Sequence, residues 1–330
     1  MFFLVPLIFR TTAMIISSAT RPTSMETPAI ALAGTATIIQ PQTSLAEFTT
    51  YRVGGKAEWY AAPRCPEDLT AVLAWFQGQD LPLTFLGAGS NLLISDQGLP
   101  GLVLSTRYLR QSKFEEEQGL ITVAAGEPIA KVGWQCAKRG WQGLEWAVGI
   151  PGTVGGAVVM NAGAHNQCTA ETLVKATVMA PNGSLEVLTN EQLGFTYRTS
   201  NLQKHLGDRL VVDATFQLTP GFTREEIMAR TTRNLHQRKS TQPYDKPNCG
   251  SVFRNPTPLY SARLIEELGL KGHRIGGAEV SQRHANFIVN IDNAKAQDVF
   301  NLIFHVQGEV EKHCGIRLEP EVKMLGDFNS

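Results

Sequence analysis

An α+β fold is predicted for this chain of 330 residues by three observations. Short apolar runs that end in glycine alternate with segments whose apolar residues recur at helical spacing. Two glycine-rich loops sit on the strand-like segments, and from Pro220-Gly221 onward the chain reads as a compact α+β unit. With 43% hydrophobic and 18% charged residues, it can bury two or three cores.

The elements follow in order. The first nine residues are apolar but too short to span a bilayer, and Arg10 follows them where a signal peptide would need charge in front. Residues 11–40 are rich in Thr, Ser and Ala and contain Met14 and Met25. Residues 1–40 therefore read as a disordered extension or an over-early start, outside the fold. Pro66-Glu67-Asp68 opens a helix on Leu69, Val72, Leu73 and Phe76. Leu83–Leu86 reads as a strand running into Gly87-Ala88-Gly89, and residues 120–125 as a strand before a helix on Ile129, Val132, Cys136 and Ala137. Residues 173–180 and 210–218 are further strands, with Pro181-Asn182-Gly183 as a turn.

Thr223 and Glu226 have capping-box spacing and start a helix that runs to about Lys239. Its Arg230, Arg233, Arg238 and Lys239 form either a solvated face or a reach toward a ligand phosphate. A second helix from about Pro258 carries Leu259, Ala262, Ile265 and Leu268, and a third from about Ala294 carries Val299, Leu302, Ile303, Val306 and Val310. Between them Asn286–Asn290 reads as a buried strand.

Lys plus Arg equals Asp plus Glu at 30 each, so no overall field draws the chain to nucleic acid or to an anionic membrane. Five widely spaced cysteines without a C-x-x-C pair fit free thiols in a reducing compartment, with no metal site. Cys249 has no local base that could make it a nucleophile.

The densest signal is Gly149–Gly163, where Gly149, Gly152, Gly155, Gly156 and Gly163 fall beside apolar residues and Pro151. Such a stretch makes either a tight turn or a cradle of backbone N–H groups for phosphate. Neither it nor Leu86-Gly87-Ala88-Gly89-Ser90-Asn91-Leu92-Leu93 matches a dinucleotide or P-loop fingerprint. Two such loops about sixty residues apart suggest one long ligand with a diphosphate; two unrelated turns are the alternative.

Six motifs carry a resemblance. Thr49–Gly55, Leu86–Leu93, Gly149–Ala157, Tyr197–Ser200, Gly250–Pro256 and Leu318–Val322 occur in the order found in the MurB family, the UDP-N-acetylenolpyruvoylglucosamine reductases of bacterial peptidoglycan synthesis. The resemblance covers residues 43–326. It implies the FAD-binding fold of the vanillyl-alcohol oxidase (PCMH) type, in two subdomains over residues 45–219, followed by an α+β substrate domain over 220–330. It further implies a cytoplasmic monomer that holds FAD non-covalently, takes electrons from NADPH, and reduces UDP-N-acetyl-3-O-(1-carboxyvinyl)-glucosamine to UDP-N-acetylmuramate. The short stretch from Tyr197 to Leu210 is similar to the smaller subclass, which lacks a substrate-covering insertion.

By the same resemblance, FAD is held by Tyr51, Arg52, Gly87, Ala88, Gly89, Ser90, Asn91, Leu92, Gly149, Ile150, Pro151, Gly152, Thr153, Gly155, Gly156, Ala157 and Asn161. His165, which follows them, is an ordinary loop residue on this reading. Hydride delivery to the β-carbon of an enolpyruvyl group leaves negative charge on the α-carbon and its carboxylate, so a polarising group and a proton donor are needed. The motifs place Arg198 and Glu321 as the polarising pair and Ser251 as the donor, with Lys246 as the cation to examine for stabilising its alkoxide. Glu321 is preferred to Glu319 because the family's glutamate directly precedes the valine of the terminal strand. Tyr197, Arg198, Lys246, Asn255 and Asn286 are the expected substrate contacts, while His284 reads as structural. A surface arginine, a turn serine and a salt-bridged glutamate are what the three catalytic candidates would be without the family. An alcohol or hydroxy-acid oxidase on the same fold, or a non-catalytic flavin-binding protein, are the rival functions.

Overall fold

The computed structural model describes residues 28–204 and 208–329. The expectation for residues 1–27 lies outside the described residues. Residues 28–40, however, are not outside the fold. Ile30–Ala31 and Ile38–Ser44 are strands, paired to each other and, through Gln40 opposite Tyr60, to Lys56–Ala61. The β-branched Ile39 explains the difference: its side chain is fully buried in the first core, a gain that the surrounding Thr- and Ala-rich composition conceals.

The first subdomain is a five-stranded sheet in the order Ile30–Ala31, Ile38–Ser44, Lys56–Ala61, Leu99–Ser105, Leu83–Leu86. Its last two pairings are parallel, which requires crossovers, and the helix Pro66–Gln77 makes one of them. That helix starts with Pro66 in its first turn and buries Leu69, Val72 and Leu73 against Ala61, Leu102 and Leu104. The second subdomain is an antiparallel sheet in the order Leu185–Thr189, Leu173–Met179, Leu210–Gln217, Leu120–Ala124, Ser112–Glu115. The helices Ile129–Ala137 and Val154–Met160 share its core.

In the C-terminal unit, the helices Ser261–Glu267 and Ala296–Cys314 pack with a three-stranded sheet of Arg274–Ile275, Ala278–Val280 and Ile288–Asn290. Ala296–Cys314 buries Val299, Leu302, Ile303, Val306 and Val310, the stripe read from the sequence. The helix Arg224–Thr241 opens with the expected capping box of Thr223 and Glu226, but it packs against Ile129–Ala137 and thus on the second subdomain. Among the described residues no helix is long and apolar enough to cross a membrane.

The units are sewn together by the far end of the chain. Lys323–Leu325 pairs in parallel with Leu92–Ile94, directly after the first glycine loop. Tyr51, Val53 and Leu93 are buried in the core of the C-terminal unit, and Asn290 donates a hydrogen bond to the Tyr51 carbonyl at 3.1 Å. Asp96, just past that strand, accepts hydrogen bonds from the first amides of Ala296–Cys314, at 2.9 Å from Ala296 N and 3.0 Å from Gln297 N. A carboxylate at a helix N-terminus satisfies orphan donors and opposes the helix dipole. Asp96→Ala should therefore cost about 1 kcal/mol, read as a lower midpoint in urea; an unchanged midpoint would show that the cap carries no stability.

Candidate functional site

A cavity of about 620 Å³ lies where the three units meet. The two glycine loops converge on it. A Cβ on Gly152 would stand 3.3 Å from the Ser90 hydroxyl, and one on Gly87 would stand 2.8 Å from that of Thr153. Gly89 has φ +63° and its Cβ position is filled by the Phe48 carbonyl, so only glycine fits there. Among the hydrogen bonds of the described residues, none is donated by the backbone amides of Gly87, Ala88, Gly89 or Ser90. Gly155 lets the helix Val154–Met160 lie against the end of the second sheet, donating from its N–H to the Ala125 carbonyl at 2.9 Å.

Of the expected cofactor residues, Gly87, Ala88, Gly89, Ser90, Asn91, Leu92, Ile150, Pro151, Gly152, Thr153, Gly155, Gly156 and Ala157 line the cavity. Tyr51, Arg52, Gly149 and Asn161 do not. Tyr51 is fully buried in the C-terminal core, its hydroxyl against Cys249; burial raises its pKa and pushes the Cys249 thiol up to about 12. Arg52 is exposed. Gly149 sits behind the loop, its carbonyl accepting from the Tyr244 hydroxyl at 2.5 Å. Asn161 takes the left-handed conformation that ends Val154–Met160; its side chain donates to the Thr196 carbonyl and accepts from Ala170 N, so it braces the turn that follows.

That turn presents Arg198. Thr196 and Thr199 exchange both backbone hydrogen bonds, at 3.0 and 3.1 Å, and Arg198 itself adopts φ +55°. The Arg198 side chain donates to the Gly163 carbonyl at 2.6 Å and pairs with Glu321 at 3.3 Å. Ser251 comes to the same cavity by a backbone ladder. Glu321 N donates to the Val252 carbonyl at 2.7 Å and Arg254 N to the Glu319 carbonyl at 2.9 Å, so the segments bearing Ser251 and Glu321 run side by side. Arg198, Ser251 and Glu321, drawn from three distant stretches, all line one cavity.

The expected substrate residues divide. Tyr197 lines the cavity and is half exposed, and Asn255 lines it while its Oδ1 accepts from Ser261 N at the start of Ser261–Glu267. Asn286 reaches the cavity wall, but its amide is committed: Oδ1 accepts from Phe253 N at 2.9 Å and Nδ2 donates to the Phe253 carbonyl at 2.8 Å. It holds the Ser251 segment as a strand partner would. Lys246 is exposed and is not among the residues lining the cavity, because the Pro243–Asn248 bend turns it outward. His284, as expected, is structural, its Nδ1 accepting from Asn286 N.

Sequence reading missed Lys323, which lines the cavity two residues beyond Glu321. The period of two along a strand carried that signal. Arg238 also lines it, which places the last turn of Arg224–Thr241 at the mouth rather than on a wholly solvated face. His165 lines it too, and burial followed by the nearby Arg238 lowers its pKa.

Burial raises the Glu321 carboxyl above its ordinary value, although Arg198, Arg254 and Lys323 pull it back. The folded state therefore holds that proton more tightly than the unfolded chain. Stability contributed by the group is present at low pH and falls as pH rises from the ordinary carboxylate value through the raised one. Glu321→Gln, whose amide oxygen can still accept from Arg198, should melt no lower than the parent at pH 8 and lose that advantage toward pH 4. A lower melting temperature at pH 8 would show that the ion pair outweighs the burial.

Comparison with known proteins gives the following. The family model described as UDP-N-acetylenolpyruvoylglucosamine reductase, C-terminal domain, matches residues 242–325, and one described as FAD binding domain matches residues 57–189. The chain is similar to the UDP-N-acetylenolpyruvoylglucosamine reductase of Synechocystis sp., at 93% identity over 96% of this chain and 99% of that one. It is 57% identical to the corresponding reductase of Trichormus variabilis, over 93% of this chain and 92% of the other. Among solved structures it resembles UDP-N-acetylenolpyruvylglucosamine reductase from Thermus caldophilus, with a TM-score of 0.74 and 34% identity over 87% of this chain and 99% of that one.

Proposed function

The chain belongs to the UDP-N-acetylenolpyruvoylglucosamine reductase family, and from that premise we propose how its own residues perform the reduction. It is an FAD-dependent oxidoreductase of peptidoglycan synthesis that uses NADPH as reductant. The cavity fits the cofactor: glycines whose Cβ positions are filled or crowded, four amides without an acceptor and a neighbouring helix start form a cradle suited to a diphosphate. Gly87 to Ser90 and Gly152 to Gly156 would hold it. Bound there, FAD would supply the hydride-transfer chemistry that links NADPH to the substrate.

The remaining chemistry falls to the chain. Arg198 and Glu321 take the carboxylate of the enolpyruvyl group and polarise it, so that charge developing on the α-carbon meets a fixed cation and a carboxyl whose pKa burial raises. Ser251 Oγ holds the proton for the α-carbon. With Lys246 turned outward, the cations that share the cavity with Ser251 are Arg198, Arg209, Arg238 and Lys323. Tyr197 and Asn255 contact the UDP-sugar, and Arg238 and Lys323 face its phosphates or the cofactor's. The enzyme acts in the cytoplasm as a monomer, and because Arg224–Thr241 packs on the second subdomain, the flavin part gives way to the substrate domain near residue 242.

The observation that carries this reading is the convergence of Arg198, Ser251 and Glu321 on the cavity framed by both glycine loops. It favours a reductase over an oxidase on the same fold, which needs no proton donor of this kind. Anaerobic rapid mixing tests it in halves. NADPH should bleach the flavin bands of the purified protein and the UDP-enolpyruvyl sugar should restore them; a colourless protein that FAD cannot reconstitute would refute the reading. Ser251→Ala should leave flavin reduction within about twofold of the parent and slow reoxidation by at least about 10²-fold. Equal loss in both halves would make Ser251 structural.

A further inference from the structure

We propose that Arg254 is the positioning residue of the site: its guanidinium ties the Arg198 turn to the Ser251 segment and so holds the polarising pair in register with the proton donor. The inference rests on the roles given above to Arg198, Ser251 and Glu321. Arg254 follows Ser251 by three residues on the ladder that runs beside Glu319–Glu321. Its side chain is 18% exposed and does not line the cavity, so it acts through its neighbours.

Those neighbours are the working parts. Nη2 donates to the Arg198 carbonyl at 3.3 Å and to the Thr199 hydroxyl at 3.2 Å, and Nη1 faces Glu319 at 3.5 Å. The acceptor matters because Arg198 is a non-glycine residue at φ +55°, a strained conformation that persists only where its surroundings over-determine it. Two side-chain donors grip its carbonyl: Arg254 from the C-terminal unit and Gln203 Nε2, at 3.0 Å, from its own subdomain. Gln203, which also donates to the Val159 carbonyl at 2.9 Å, fixes the turn to the helix Val154–Met160. Arg254 alone of the two fixes it to the segment that carries Ser251. An ammonium presents all its donors from one atom, whereas the guanidinium faces the turn with Nη2 and Glu319 with Nη1, so lysine would not reproduce the arrangement.

The test uses the FAD-loaded enzyme and both half-reactions. Arg254→Lys and Arg254→Met should reduce with NADPH at near-parental rate and melt near the parent, while reoxidation by saturating UDP-enolpyruvyl sugar slows about 10- to 100-fold, the effect expected of a misplaced catalytic group. Thr199→Val, which removes one acceptor only, should show a smaller loss in that same half-reaction. In an Arg198→Met background, Arg254→Lys should add less than about twofold, because the group it positions is already gone. Equal slowing of both halves, or a full additional loss in the Arg198→Met background, would overturn the proposal. An Arg198→Met enzyme with parental reoxidation would remove the roles on which it stands, and the proposal with them.

Discussion

The parallel pairing of Lys323–Leu325 with Leu92–Ile94 is the contact on which the rest of the molecule depends. It lays the last strand of the chain beside the first glycine loop, and Asn91 clamps the junction by donating its side-chain amide to the Glu321 carbonyl at 3.1 Å. With that strand in place, Glu321 enters the cavity beside the glycine loops of the N-terminal half. Without it, the carboxylate would have no path to Arg198, which lies on a turn of another subdomain. The burial of Tyr51, Val53 and Leu93 in the C-terminal core is the apolar counterpart of the same junction. Apolar burial gives the junction its strength, and the strand pairing gives it its register.

Function and stability pull in opposite directions at Glu321. Water is excluded enough to raise its pKa, and three cations only partly offset that. A buried ion pair seldom repays its own desolvation. What the arrangement supplies is a preoriented pair whose field acts in a low-dielectric pocket, where it is worth more than in solvent. Asn161, Asn286 and Gln203 belong to the same design. Each holds a backbone segment that brings a cavity-lining residue, Arg198 or Ser251, into place.

Local sequence carried the elements well, because their signals are local. Helix starts at Pro66 and Thr223, the apolar stripe of Ala296–Cys314 and the strands around 173 and 210 all follow from capping and periodicity. The convergence of the two glycine loops was legible only as a suggestion, since no pattern in one loop encodes its distance from the other. Three expectations meet tertiary structure that no local pattern encodes. Ile39 belongs to the first core, Tyr51 lies buried in the C-terminal core rather than on the cavity wall, and Lys246 faces solvent, each set by which way a neighbouring unit faces. Asn286 shows the same limit in milder form. It does reach the cavity wall, but a tertiary partner, the Phe253 backbone, has already claimed its amide.

The strand that closes the site also sets an order of events. Asn91 and Glu321 are 230 residues apart, so the entropy of closing that loop must be met before their contact forms. Each subdomain of the N-terminal half has its own core, whereas this junction needs both the glycine loops and the C-terminal unit. Loop closure therefore weighs against its forming before the units that it joins. On the roles proposed above, a chain whose last strand has not docked has its glycine loops but no Glu321 carboxyl beside them, so the docking of Lys323–Leu325 is what completes the site.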